Sequence, residues 1–173
     1  MPESSDLPLT AFPEEPPAPD APWLQWLAWL SWASHRVGAY ESALSLADLD
    51  RLTRGLRQLC LQLEAEAAQA QGGLQETTAG AAMAAALHRQ HVLTEASQQC
   101  DEARLLVGTL AQRIRGEQAE GLPLLRRIGV GTPDRLRQQV RSQLQLLQAT
   151  LDRLGEPRGG PALVSLPKGG ACR

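Results

Sequence analysis

Aromatic residues are scarce in this chain of 173 residues: four Trp, one Tyr and one Phe, 3% in all. A core of ordinary size must therefore be assembled mainly from Leu and Ala. Residues that favour strands nowhere gather into a run, which argues against a sheet. Cysteines are few and far apart. Cys60, Cys100 and Cys172 form neither a CxxC pair nor a disulfide framework, so a reducing, cytoplasmic compartment is expected, with the cytoskeleton as one location and the nucleus left open. Lysine is almost missing, Lys168 being the only one. The N-terminus shows no basic region followed by an apolar run, so neither a secretory signal nor a mitochondrial presequence is expected.

Catalytic signatures are also lacking. The sequence holds no HExxH, no phosphate-cradling Gly loop and no nucleophile elbow. His88, His91 and Glu95 follow one another at about one-turn intervals, a spacing that metal ligands use, but no further Cys or His stands near them in sequence. A solvated helix face is the better reading. Acid pairs such as Glu64/Glu66 and Asp101/Glu102 have basic neighbours and read as solubilising. No enzyme, metal or cofactor is expected.

What the chain has in plenty is Ala, Leu, Gln, Arg and Glu, all strong helix formers. The expected fold is all-α, an elongated helical bundle of coiled-coil character over residues 21–154, with helices near 22–40, 46–71, 76–118 and 133–154. Residues 1–20 hold six Pro among acids, and 155–173 are dense in Gly and Pro. Both compositions predict disordered tails.

Each helix has its own signal. Ser45 and Asp48 stand at the spacing of a capping box, ahead of a stripe of Leu49, Leu52, Leu56, Leu59 and Leu63. Gly72–Gly73 is the expected stop. The same leucine spacing in "LTRGLRQLCLQL" resembles a nuclear export signal through Leu52, Leu56, Leu59 and Leu61, but a core stripe explains it as well. The third helix carries the most sustained heptad: Ala79, Ala82, Ala86, Arg89, Leu93, Ala96, Cys100, Ala103, Val107, Leu110 and Ile114. Its first two-thirds are lined by small side chains. Thr132, Pro133 and Asp134 mark the start of the last helix, and Leu136, Val140, Leu144, Leu147, Leu151 and Leu154 form its stripe. Between these helices, "LLRRIG" (residues 124–129) resembles part of a BH3 helix. Val130 stands where that family has Asp, and the resemblance is carried no further.

All four tryptophans fall in "PWLQWLAWLSW", at Trp23, Trp26, Trp29 and Trp32. A spacing of three drifts about 60° backward per step on a helix, so the indoles sweep half its circumference. Trp26, Trp29, Leu30, Ala33, Val37 and Tyr40 share one broad face, with Asp20 as the expected N-cap. The uncharged stretch of about 13 residues is short of the 20 or so that a membrane span requires. An interfacial helix would carry basic residues on its polar face, and the leader here is acidic. The expectation is a docking helix whose Trp side chains lie over the Ala-lined seam at 79–103, in cis or on a partner, with one or two left for a second surface.

Charge is polarised. Residues 1–22 carry five acids and no Lys or Arg, whereas 121–173 carry nine basic residues and three acids. The acidic leader can fold back on the basic end, or the basic end can meet an acidic partner. Without aromatic stacking platforms nearby, nucleic acid is not expected. Arg135, Arg137 and Arg141, with Trp23, Trp26, Trp29, Trp32 and Leu30, are the candidate protein-interaction residues. The expected function is a non-enzymatic interaction subunit or adaptor of a larger helical assembly of cytoskeletal, centrosomal/spindle or vesicle-tethering type. Its partners would be helical proteins, in a hetero-complex or a homodimer. Two alternatives come from other classes: a peripheral membrane factor using the Trp helix, and a helical assembly or secretion chaperone.

Overall fold

The computed structural model describes residues 15–39, 43–76, 80–120 and 133–155. Four helices make it up: α1 (Trp23–Gly38), α2 (Leu46–Glu76), α3 (Ala81–Glu120) and α4 (Pro133–Gly155). The described residues contain no strand. Tyr40, the 121–132 connection with its BH3-like stretch and the Thr132 cap, and the tails 1–14 and 156–173 lie outside the described residues.

The helix ends follow local chemistry. At α2 the amide of Asp48 donates to Oγ of Ser45 at 3.1 Å, and the amide of Ser45 donates to Oδ2 of Asp48 at 3.2 Å. This is the reciprocal capping box read from the sequence. α2 does not stop at Gly72–Gly73 but continues to Glu76. Glycine weakens a helix by about 1 kcal/mol yet keeps its N–H donor, so it discourages a helix without blocking it. Just ahead of α3, Gly80 has a φ of +99°, a conformation that glycine adopts at little steric cost. At α1, Pro22 itself occupies the cap position, and no side chain bonds the first turn, so the expected Asp20 cap is not made.

The helices run up-down-up-down, each antiparallel to its neighbours. Close backbone contacts join α2 to α3, α3 to α4 and α4 to α1. The fourth side, between α1 and α2, is filled by side chains instead. The core takes Trp26, Trp29, Leu30, Ala33 and Val37 from α1, and the whole Leu49-to-Leu63 stripe from α2. It takes Leu93, Ala96, Cys100, Ala103, Val107 and Leu110 from α3, and Val140, Leu144, Leu147 and Leu151 from α4. These are the expected stripes. Leu61, the one member of the export-like spacing outside the α2 stripe, is 56% exposed, while Leu52, Leu56 and Leu59 are sealed in the core.

The N-terminal part of the α3 seam departs from this pattern. Ala82 is exposed and Ala86 only half-buried, because α1 and α4 end before reaching that level. Glu95 of α3 bonds Arg153 in the last turns of α4 at 2.9 Å. Beyond this point, residues 64–76 of α2 and 81–91 of α3 continue as a two-helix hairpin roughly 20 Å long.

Residues 15–20, expected to belong to a disordered leader, have a defined path along the bundle. The amide of Ala21 closes a turn on the carbonyl of Ala18 at 2.9 Å. Pro16 and Trp29 both crowd the place where a side chain on Gly55 would stand.

Candidate protein-interaction surface

The Trp helix is mostly turned inward. Trp26 is fully buried and Trp29 is 5% exposed, while Trp23 and Trp32 are half-buried on the flanks. The half-circumference sweep has this consequence: two indoles enter the core and two remain at its edges. The rings of Trp26 and Trp29 meet edge to face, with centroids 5.7 Å apart at 86°, the arrangement that ring quadrupoles favour.

Beside the expected Ala seam of α3, they have specific partners on α2. The Nε1–H of Trp26 donates to Oε1 of Gln62 on α2 at 2.7 Å, and the outer edge of the Trp29 ring sits where a Cβ of Gly55 would be. The indoles thus reach α2, while the backbone of α1 runs beside α4 and Trp26 and Trp29 share one core with Ala96, Cys100 and Ala103 of α3. Much of the small-residue stretch of α3 stands in the overhanging hairpin, past the first turn of α1. Gly55 supplies the needed space at the level of Trp29 by having no side chain at all.

Of the basic trio, Arg137 is 7% exposed. Its Nε donates to the carbonyl of Val37 and its Nη2 to that of Ala39, both at 2.9 Å. A cation on the last carbonyls of α1 satisfies orphan acceptors and complements the negative end of the helix dipole. Arg141 lies half-buried along Gly38, where an added Cβ would come within 2.7 Å of its Cδ. Arg135 is exposed. Leu30 is fully buried. From the eight candidate interaction residues, the fold thus takes Trp26, Trp29, Leu30 and Arg137 into its own interior. Only Trp23, Trp32, Arg135 and part of Arg141 stay accessible.

Arg36 and Asp48 form a second inward-turned charge cluster. Nη2 of Arg36 donates to Oδ2 of Asp48 at 3.2 Å and to the carbonyl of Ala43 at 3.1 Å. One carboxylate therefore both caps α2 and pairs the guanidinium of α1.

The small-residue seam is legible in the sequence, but that it stands clear of the bundle as a surface is not. Arg89, the one polar residue of the α3 heptad, bonds Glu66 at 2.7 Å and ties the two helices together. Beside this ion pair lies a shallow cleft of about 310 Å³ lined by Glu66, Gln69, Ala70, Gly73, Ala86 and Arg89. Ala67, Ala70, Leu74, Met83 and Ala86 are half-buried, and Leu87 is 52% exposed. Elsewhere Leu24, Leu105 and Leu146 are exposed singly, which is ordinary for a protein surface.

The two described thiols lie together where α2 and α3 meet. The hydrogen bond from Cys100 holds the Cys60 thiol below its usual value, outweighing burial and the Asp101 charge, with Arg104 acting in the same direction. That bond and burial push the Cys100 thiol strongly up.

Among the described residues, no group of three His, Cys, Asp or Glu side chains is placed to hold a metal ion. Glu95, from the His88/His91/Glu95 spacing, is engaged by Arg153 and Gln99. No described helix is long and apolar enough to cross a membrane. Compared with protein-family models, curated proteins and solved structures, the chain matches none of them.

Proposed function

We propose that this protein is a non-enzymatic subunit or adaptor of a larger helical assembly, of the cytoskeletal, centrosomal or vesicle-tethering kind, working in a reducing cytoplasmic compartment. One observation carries the reading: the α2–α3 hairpin continues past the ends of α1 and α4. Leu63, Ala67, Ala70 and Leu74 on α2, with Ala82, Ala86, Arg89 and Leu93 on α3, keep a three- and four-residue alternation into the overhang. That is the spacing of a coiled-coil seam lacking its other helices. A seam of Ala admits a foreign helix at close range but buries little area itself, so the partner must bring large apolar side chains. The occupant is therefore an amphipathic helix of another protein, rich in Leu or aromatic residues. The peripheral-membrane alternative loses its main support, since Trp26 and Trp29 are spent on the core.

Photo-cross-linking tests this. Amine-reactive reagents suit the chain poorly because its one lysine is Lys168. A photoreactive residue at Gln69 or Gln90, followed by affinity purification and mass spectrometry, should capture helical segments of partner proteins. Ala70→Glu and Ala86→Glu should abolish capture without lowering the melting temperature. Capture unchanged by both substitutions, or partners attached only elsewhere on the bundle, would refute the reading.

A further inference from the structure

Cys60 on α2 and Cys100 on α3 are both buried and both free. Sγ of Cys100 donates to the carbonyl of Leu56 at 3.3 Å, one turn before Cys60 on the same helix. Sγ of Cys60 donates to Oδ1 of Asp101 at 3.6 Å, on the residue that follows Cys100. Each sulfur thus reaches the immediate surroundings of the other. They differ in access. Cys100 is fully sealed, whereas Cys60 lies beneath Asp101 and Arg104, which bond each other at 3.3 Å. Those two side chains are themselves 55% and 38% exposed, so surface groups rather than core residues stand over Cys60.

We propose that Cys60 and Cys100 are a redox-active dithiol that closes to a disulfide between α2 and α3 when a hydroperoxide reaches Cys60. The Cys60 thiolate attacks one peroxide oxygen, the O–O bond breaks, and the leaving hydroxide takes up a proton to become water. Cys60 is then a sulfenic acid. Sγ of Cys100 attacks Sγ of Cys60, the S–O bond breaks, and the departing hydroxide takes the Cys100 proton as a second water. Two thiols have lost two electrons and hydrogen peroxide has gained them. The environment sets the order of attack. The Cys100 hydrogen bond and the Arg104 guanidinium favour the thiolate at Cys60, while burial keeps Cys100 protonated until the second step. Two packed core thiols without this chemistry would be small hydrophobes. The bridge would lock α2 to α3 inside the four-helix part, about one turn from the start of the overhang on α2 and between two and three turns from it on α3.

The experiment uses the full chain carrying Cys172→Ser, so that the pair holds the only cysteines. Stoichiometric hydrogen peroxide should remove both free thiols and lower the intact mass by about 2 Da. Non-reducing peptide maps should join the segments holding Cys60 and Cys100, and the melting temperature should rise by several degrees, reversibly with dithiothreitol. Adding Cys100→Ser should leave a dimedone-reactive sulfenic acid at Cys60. Adding Cys60→Ser should slow oxidation of Cys100 by at least about tenfold. Persistence of both thiols under peroxide, bridging between chains instead of within one, or oxidation of Cys100 that ignores Cys60→Ser would each overturn the proposal.

Discussion

The indole of Trp26 donates to the side-chain carbonyl of Gln62 at 2.7 Å, and the amide of Gln62 donates onward to the carbonyl of Ala21 at 3.1 Å. All three groups are buried. The chain entering α1 is thereby pinned to α2 through one indole. Gln62→Leu strands the indole N–H and the Ala21 carbonyl, and should cost about 1–3 kcal/mol in urea unfolding. Trp26→Phe/Gln62→Leu together should cost less than the sum of the single changes, because the partners are removed jointly.

Gly55→Ala should destabilise the protein by about 1–3 kcal/mol, against the usual direction for glycine in a helix. The new methyl has nowhere to go, since the Trp29 ring and Pro16 already occupy its place. Gly108→Ala is the control. Nothing stands within 4 Å of its added Cβ, so it should stabilise α3 by about 0.5–1 kcal/mol. Thermal melts of the two variants should move in opposite directions.

Asp48→Ala removes a cap and leaves Arg36 buried without its carboxylate, whose side chain is only 12% exposed beside 10% for Arg36. A loss of about 3–5 kcal/mol is expected. Asp50→Ala breaks a pair with Arg115 whose side chains are 63% and 57% exposed and should cost under about 1 kcal/mol. Chemical denaturation of both variants gives the ratio directly.

Arg137→Met should uncap the end of α1 and speed amide exchange in the last turn of that helix, with a stability loss of about 1–3 kcal/mol. Arg135→Met, two residues earlier and on the exposed face of α4, should leave both within error. Hydrogen exchange read by mass spectrometry separates the two.

The thiols predict a stability profile in alkali. Between the lowered value of Cys60 and the ordinary thiol value of 9.0, the native state has released a proton that the unfolded chain keeps, so stability rises with pH. Above 9.0 the unfolded chain releases both thiol protons while native Cys100 holds its own, so stability falls. Denaturation midpoints across that range should show the fall, and Cys100→Ala should remove its thiol share.

Much of the bundle was readable from residue order, because helix periodicity and caps depend on neighbours a few positions apart. The Leu49-to-Leu63 stripe, the Leu93-to-Leu110 seam and the Ser45–Asp48 box all involve separations of three or four, and each stands in the structure as read. The continuation of α2 through Gly72–Gly73 was not readable, since glycine's preference is weak enough for a helix paired along its length to override.

The candidate site was far less legible. That Trp26 meets Gln62, that Trp29 meets Gly55, and that Arg137 closes the end of α1 across a separation of 100 residues are matters of which helix lies beside which. Amphipathic stripes state only that a face must be covered. By itself, the sequence determined an all-helical chain, its apolar faces and its capping chemistry, all of which follow from local backbone geometry. Tertiary structure alone decided which tryptophans became core, which arginine became a cap, that two thiols became neighbours, and that the Ala-lined hairpin outran its covering helices. Those outcomes depend on relative helix length and on the space left at one glycine, and both acquire meaning only once four helices share a core.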